Sequence, residues 1–307
     1  MEDSKMKNYI KFFAIAAASV MALASCQQEE LNPESVIKDS RAEKNEFDAW
    51  LEANLLRPYN VEIKYRYDLV ESDLDYRTVP ADYGQSIVYA HLVKYLCVDS
   101  YDEVAGTVFT CKYFPKLFFL EGTFHYDNNG SMILGTAEGG RKIFLGGVNF
   151  LNYYVEQAQE TKNPGTLNEL YFKTIHHEFT HILNQTKEFT EDYQMVSGTD
   201  YVLGAWNKTH RSDYLKYGFI SQYSQHSARE DFAEMLSTYV LNSQAQWDSW
   251  MASAGTDGAA KIAKKLDYVR KYLLDAFGID LEELREVILR RTDDILYDRV
   301  NLTDLTY

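Results

Sequence analysis

Three features are scarce in this sequence, and each absence excludes a class of protein or site. Positive charge is outnumbered, with 31 Lys and Arg against 46 Asp and Glu and a formal net charge of −15, so no nucleic-acid partner is expected. After residue 25, no apolar run is long enough to cross a membrane. Only two cysteines follow Cys26, and two thiols without further partners do not make a metal site.

The rest of the composition is that of a folded domain. The chain has 307 residues, 46% of them hydrophobic and 14% aromatic, which is ample for a sizeable core. Cys97 and Cys111 lie in the apolar segments "VKYLCVDS" and "VFTCKYF", where a buried free thiol is normal. A bridge between them would be permitted in an oxidising compartment, but free thiols are the expectation.

The first 25 residues are predicted to be an export signal and not part of the fold. Lysines in "KMKNYIKFF" precede the apolar run "FFAIAAASVMALA", which is too short to remain as a membrane span. The run ends at "LASC", which resembles the lipobox of bacterial lipoproteins. In that family the signal is cut before the cysteine, which then receives lipid, so Cys26 is the expected lipidation site. The alternative is an ordinary secretory signal with Cys26 incidental.

The residues that follow indicate where such a protein would reside. "QQEE" resembles the short acidic signal that sends some Bacteroidota lipoproteins to the cell surface. This resemblance implies an outer-membrane lipoprotein exposed at the cell surface, with the periplasmic face as the alternative. Lipid at Cys26 would hold the chain at the membrane while its folded part stays in water. Residues 26–42 are polar and aperiodic, which predicts a flexible tether.

Residues 43–307 are predicted to form one α+β domain. "VEIKYRYDLV", "TVFTCKYFPKLFFLEGTF" and "RKIFLGGVNF" are rich in β-forming residues and predict strands, with turns around "DNNG" and "EGG". "EFDAWLEANLL", ending before Pro58, and "ADYGQSIVYAHLVKYLCVDSY" have helical spacing. From Asn168 the pattern is mostly helical, with the last two helices separated at Gly278. A sheet-bearing N-terminal half would therefore meet a helical C-terminal half.

The segment "HHEFTH" lies where the two predicted halves join, a common place for a ligand cleft. Its surroundings, "NELYFKTIHHEFTHIL", contain no proline or glycine and predict a helix. His177 and His181 are four residues apart, so they share a face and can bind one zinc ion. Glu178 flanks that ion and can deprotonate a zinc-bound water, as in the H-E-x-x-H arrangement of zinc metallopeptidases. The alternative is a pair of ordinary histidines; His176, on another face, is predicted to be structural or solvated.

A catalytic zinc site needs a third protein ligand and leaves its fourth position to water. The pattern H-E-x-x-H-x-x-G-x-x-H is excluded, because Asn184 stands where Gly would be required and Lys187 where His or Asp would be required. Glu188 and Glu191 are candidates from a predicted polar loop after the helix. Either could bring a carboxylate near the two histidines.

Stronger candidates lie about fifty residues later, on the predicted helix "REDFAEMLSTYV". Glu230 and Glu234 are four residues apart and share a face of that helix. One carboxylate could bind zinc while the other accepts a hydrogen bond from a ligand histidine. The alternative is a solvated pair of like charges, but the flanking apolar residues indicate partial burial. Those expected to face the core are Phe232, Met235, Leu236 and Tyr239.

These residues resemble the gluzincin metallopeptidases, in which a glutamate helix follows the H-E-x-x-H helix. With "LASC" and "GFISQYSQHSAREDFAE", the chain resembles in particular the zinc-binding metallopeptidase lipoproteins of Bacteroidota, also described as substrate import-associated zinc metallohydrolases. The resemblance implies a zincin-like fold with one Zn²⁺ in the cleft between the halves. It also implies Glu230 as third ligand and Glu234 as its hydrogen-bonding neighbour. Tyr223 matches a tyrosine that, in related enzymes, points at the substrate carbonyl oxygen and would stabilise the oxyanion.

The expected function is therefore a surface-anchored zinc metallopeptidase acting on a peptide or protein, with Glu178 as the general base. Two alternatives stay open. The chain could hydrolyse non-peptide amides, which the motif does not distinguish from peptides. It could also be a catalytically silent accessory or binding lipoprotein of a nutrient-import complex, and outer-membrane components of such a complex are candidate partners.

Overall fold

The computed structural model describes residues 43–73, 75–126, 132–133, 135–138, 142–207 and 212–306. The predicted export signal, the tether and Cys26 lie outside these residues, as do the predicted turns at residues 127–130 and 139–140. Within the described part of the chain, no helix is long and apolar enough to cross a bilayer.

The sheet is small and mostly parallel. The strands in chain order are β1 (Glu62–Lys64), β2 (Leu117–Leu120), β3 (His125–Tyr126), β4 (Met132–Ile133), β5 (Gly135–Glu138) and β6 (Lys142–Leu145). Four of them form one sheet in the spatial order β1-β2-β6-β5, in which β2 is parallel to β1 and β6 and β5 is antiparallel to β6. β3 and β4 form a separate antiparallel pair. The apolar runs "LFFL" and "KIFL" are largely buried, as expected for strands covered on both faces.

Helices dominate the rest of the N-terminal half. The bounds, including two π-helical segments at 52–56 and 93–98, are Glu46–Leu51, Glu52–Leu56, Arg57–Tyr59, Tyr83–Leu92, Val93–Val98, Asp99–Ala105 and Thr107–Tyr113. The predicted helix in "ADYGQSIVYAHLVKYLCVDSY" is therefore confirmed.

Two local predictions in this half are wrong. "TVFTCKY" forms the helix Thr107–Tyr113 and not a strand, because Phe109 packs into an aromatic cluster with Phe179, and such tertiary contacts outweigh β propensity. The strand begins only after Pro115, whose ring holds the residue before it in an extended conformation. The first helix also continues through Pro58. In the π-helical turn before it, the backbone N–H of Arg57 donates to Glu52 O, and Pro58 itself has no N–H that needs a partner.

From Asn168 onward the described residues are mostly helical, as predicted. The helix Gln244–Phe277 is interrupted at Gly255, with φ of 67° and ψ of −177°, and is followed by Gly278, which adopts a left-handed conformation with φ of 72°. The bounds after the sheet are Val148–Phe150, Leu151–Thr161, Gly165–Leu167, Asn168–Phe172, Lys173–Thr186, Asp192–Ser197, Gly198–Asp200, Leu203–Ala205, Tyr214–Tyr217, Tyr223–Gln225, Ala228–Leu241, Gln244–Phe277 and Leu281–Leu296.

Two of these helices carry the predicted site, and we call Lys173–Thr186 the histidine helix and Ala228–Leu241 the glutamate helix. The glutamate helix begins where the Ser227 side chain accepts a hydrogen bond from the backbone N–H of Glu230. A buried amide joins the turn that precedes the histidine helix to the end of the glutamate helix, because Asn168 Nδ2 donates to Leu241 O over 2.9 Å. Both helices bury an apolar face in one continuous core, with Ile175, Phe179, Leu183, Phe232, Met235, Leu236 and Tyr239 all enclosed.

The two described cysteines are free thiols, as expected. Cys97 is buried in the core and Cys111 is half-buried. Burial raises the pKa of the Cys97 thiol, which makes it a poor nucleophile.

Candidate metal centre

Three predicted ligand side chains converge between the histidine helix and the glutamate helix. His177 Nε2 lies 3.0 Å from Glu230 Oε2, and His181 Nε2 lies 3.2 Å from the same oxygen. The two Nε2 atoms are themselves 3.0 Å apart. The four-residue spacing of the histidines sets their mutual geometry, while packing of the two helices brings the glutamate to them from 49 residues away or more.

The donor set suits a zinc ion. Tetrahedral zinc with bonds of about 2.0–2.1 Å holds neighbouring ligand atoms about 3.3 Å apart, close to the three separations found here. Two imidazole nitrogens and a carboxylate oxygen turned toward one point need positive charge between them, which protons on the imidazoles or one metal ion can supply. Among the described residues, these three form the one group of histidine, cysteine or carboxylate ligands close enough to hold a metal ion.

Glu234 lies behind His177 on the side away from the converging donors. Its Oε1 accepts a hydrogen bond from His177 Nδ1 over 2.9 Å, and the glutamate side chain is almost fully buried. A histidine that donates from Nδ1 presents the lone pair of Nε2 to a metal, so this contact fixes the required tautomer. The predicted placement of Glu234 beside a histidine of the site is therefore what the structure has.

The electrostatics of the centre favour a bound cation. Burial alone would lower the pKa of His177, but hydrogen bonds to Glu230 and Glu234 outweigh burial and raise it to about 10. Burial would raise the pKa of the Glu230 carboxyl, yet hydrogen bonds from His177 and His181 hold it well below its usual range. Burial would also raise the pKa of the Glu234 carboxyl, but the charge of Lys173 and the hydrogen bond from His177 lower it below its usual range. Both carboxylates therefore stay ionised, and protons on the histidines, or a metal ion in their place, can supply the positive charge that balances them.

Glu178 is half-buried on the histidine helix, next to His177 in the chain. Burial raises the pKa of its carboxyl most strongly, the negative charges of Glu230 and Glu234 add to this, and the two histidines oppose it. A carboxylate with a raised pKa is a better proton acceptor than an exposed one. No side chain in the described part of the chain hydrogen-bonds Glu178, which leaves its oxygens available to a water or substrate.

Tyr223 lies beside the centre, in a short 3₁₀ turn before the glutamate helix. Its ring centroid is 6.0 Å from that of His177 and 4.9 Å from that of Trp206. Burial, followed by the negative charges of Glu230 and Glu234, raises the pKa of its phenol well above the ordinary value. The hydroxyl therefore keeps its proton and can donate a hydrogen bond.

The other residues weighed from the sequence lie away from the centre. His176 is fully buried on a different face, with Nδ1 3.1 Å from Tyr101 OH and Nε2 3.9 Å from Cys97 Sγ. Burial lowers the pKa of His176 to about 3, so it is a neutral core residue. Glu188 is exposed and pairs with Arg229 at 3.4 Å, and Glu191 is also exposed, so neither approaches the histidines as a third ligand.

Sequence reasoning did not single out Lys173, whose Nζ lies 3.0 Å from Glu234 Oε2. The spacing does associate this lysine with the site, because Lys173, His177 and His181 are four residues apart and therefore share one face of the histidine helix. Nothing in the spacing indicated which acidic partner this lysine would meet.

Comparison with known proteins gives two matches. Residues 40–282 match the model of a family described as "Putative zinc-binding metallo-peptidase". The chain is also similar to a crystal structure described as a putative zinc-binding metallo-peptidase from Bacteroides caccae, with 36% sequence identity and a TM-score of 0.72. That match covers 89% of this chain and 100% of the other. No curated protein matches the chain.

Proposed function

The chain belongs to the family described as putative zinc-binding metallo-peptidases, and from that premise we propose that it is a zinc-dependent hydrolase of peptides or proteins. One observation carries the proposal: Nε2 of His177, Nε2 of His181 and Oε2 of Glu230 lie within 3.0–3.2 Å of one another. Glu178, a half-buried glutamate with no hydrogen-bond partner among the described residues, flanks them. This is the combination that metal-assisted hydrolysis requires.

In the proposed mechanism, His177, His181 and Glu230 would hold one zinc ion, which supplies Lewis-acid chemistry to a substrate carbonyl and to water. Glu178 would take the proton of the attacking water and pass it to the leaving amine. Tyr223 would donate a hydrogen bond to the carbonyl oxygen as negative charge develops there. Glu234 would keep the proton of His177 on Nδ1, away from the metal.

We also propose a zincin-like fold and a gluzincin-type site at the junction of the two halves of the chain. The position of Glu230 on a helix downstream of the H-E-x-x-H segment supports this class. The motifs "LASC" and "QQEE" support a lipid anchor at Cys26 on the outer membrane and exposure at the cell surface. Components of an outer-membrane nutrient-import system are then the proposed partners beside the substrate.

The test combines metal analysis with a cleavage assay on a broad peptide library. Wild type and Glu178→Gln should each hold about one zinc per chain, because Glu178 is not a ligand, but only the wild type should cleave. Glu188→Gln, a change at an exposed glutamate, serves as the control and should behave as wild type.

Three results would contradict parts of the proposal. Wild-type turnover in Glu178→Gln would eliminate the general base. Zinc-loaded wild type that cleaves nothing in the library would favour the silent binding or accessory lipoprotein. Absence of zinc from the wild type after incubation with the metal would overturn the metal site itself.

A further inference from the structure

Lys173 is a largely enclosed cation beside the candidate metal centre, and the mechanism above does not use it. Its side chain is only 15% exposed. Its Nζ lies 3.0 Å from Glu234 Oε2 and 3.0 Å from Glu169 Oε1, and the Glu169 side chain is 60% exposed. The buried partner of Lys173 is therefore Glu234, and its partner at the surface is Glu169.

The two oxygens of Glu234 have different partners. Oε1 accepts from His177 Nδ1 at 2.9 Å, and Oε2 faces the Lys173 ammonium at 3.0 Å. A chain of contacts thus runs from the surface through Lys173 and Glu234 to His177, whose Nε2 is among the converging donors. A carboxylate that accepts a hydrogen bond at one oxygen and faces an ammonium at the other is restricted in its orientation toward the histidine.

We propose that Lys173 is a positioning residue for the metal centre: it holds the Glu234 carboxylate in place, and Glu234 in turn orients His177 toward the metal. This inference rests on the zinc site proposed above and extends it by one residue. Lys173 itself would touch neither the metal nor the substrate.

Burial explains why the lysine is needed. Glu234 is 4% exposed, and a carboxylate removed from water is costly unless a counter-charge lies against it. Without the ammonium, the carboxylate would turn toward water or draw water in, and the hydrogen bond at His177 Nδ1 would loosen. The alternative is that Lys173 only forms a surface ion pair with Glu169, one turn earlier. That alternative predicts that zinc affinity does not depend on Lys173.

Zinc affinity, measured by competition with a chromophoric chelator, distinguishes the positioning role from the surface ion pair without any assay of activity. Lys173→Met keeps the length of the side chain and removes its charge, so zinc binding should weaken by about tenfold or more, as for other residues that orient metal ligands. Lys173→Arg keeps the charge and should bind zinc nearly as wild type does. The control is Lys271→Met, since Lys271 is 75% exposed and also pairs with a carboxylate one turn away, Asp275.

A double-mutant cycle shows whether Lys173 acts through Glu234. Glu234→Gln alone should weaken zinc binding, and adding Lys173→Met to it should cause no further loss, because the charge that the lysine holds is then absent. A further tenfold loss in the double variant would overturn the proposal. If Lys173→Met alone does not fold, the comparison of Glu234→Gln with the double variant still tests the role of Lys173, because the double variant buries no unpaired charge.

The remaining outcomes separate this inference from the proposed function. Wild type that binds zinc tightly, with Lys173→Met binding it equally tightly, overturns the role of Lys173 and leaves the metal site standing. Wild type that binds no zinc overturns the metal site, and the positioning role fails with it.

Discussion

Asp231 Oδ2 lies 2.6 Å from Lys265 Nζ, and both side chains are completely buried. The same carboxylate oxygen accepts a hydrogen bond from Tyr201 OH at 2.9 Å, and the ammonium donates to Gly218 O at 2.7 Å. Asp231 follows Glu230 directly in the chain. The ion pair therefore connects the glutamate helix to the helix Gln244–Phe277, and the hydrogen bond to Gly218 connects both to the segment before Tyr223.

Removing the cation of this pair should destabilise the protein strongly. Lys265→Met would leave the Asp231 carboxylate buried without a counter-charge, which typically costs about 3–5 kcal/mol. The free energy of unfolding from denaturant titration measures the loss. Lys271→Met, at an exposed lysine, should cost less than about 1 kcal/mol.

The double variant Asp231→Asn with Lys265→Met checks the cause. It removes both charges, so most of the lost stability should return. A double variant as unstable as Lys265→Met alone would show that lost packing, and not the unpaired carboxylate, explains the effect.

Zinc content should depend on the three converging side chains and on no exposed glutamate nearby. His177→Ala, His181→Ala and Glu230→Ala each remove one of three protein donors, so each should lower the bound zinc strongly. Elemental analysis after gel filtration gives the stoichiometry. If Glu230→Ala kept its zinc and Glu191→Ala lost it, the third ligand would be misassigned.

The sequence predicted local features of the site well because short spacings determine them. A four-residue spacing on a helix places His177 and His181 together whatever the rest of the chain does. Apolar periodicity likewise identified the helix that carries Glu230. The choice of Glu230 over Glu234 as the third ligand depended on a family resemblance, because the two glutamates share a face of their helix and no spacing rule links either to histidines about fifty positions away.

What the sequence did not predict depends on tertiary packing. The β-rich segment "TVFTCKY" folds as a helix because Phe109 joins an aromatic cluster contributed by distant residues. From the sequence, Lys173 and Lys265 would be expected at the surface, because lysine is almost never buried unless it is paired with an acidic partner. Their acidic partners become apparent only when the helices have packed.

Tyr223→Phe should separate binding from chemistry. The change removes one hydroxyl that is not among the converging donors, so zinc content should stay at the wild-type value. Loss of one donor to a developing oxyanion typically lowers turnover on the order of a hundredfold. Turnover and zinc stoichiometry are measured on one cleavable peptide. Unchanged turnover would remove Tyr223 from the mechanism.

The adjacent histidines should respond differently to the same substitution. His176→Ala should keep its zinc, because the ring contacts Tyr101 and Cys97 in the core and no donor of the metal centre. It should still lower the free energy of unfolding by about 2–4 kcal/mol, through a cavity and an unpaired tyrosine hydroxyl. Loss of zinc in a folded His176→Ala protein would mean that the metal uses the other face of the helix.

Replacement of Cys26 tests the proposed anchor. Lipid attached to that cysteine would hold the chain at the membrane, and Cys26→Ser has no thiol to accept it. The variant should therefore leave the membrane fraction of fractionated cells, as followed by immunoblotting. Cys111→Ser, a change at a thiol in the folded domain, should remain in that fraction. A Cys26→Ser protein that sediments with membranes as fully as wild type would show that something other than lipid at this position retains the chain.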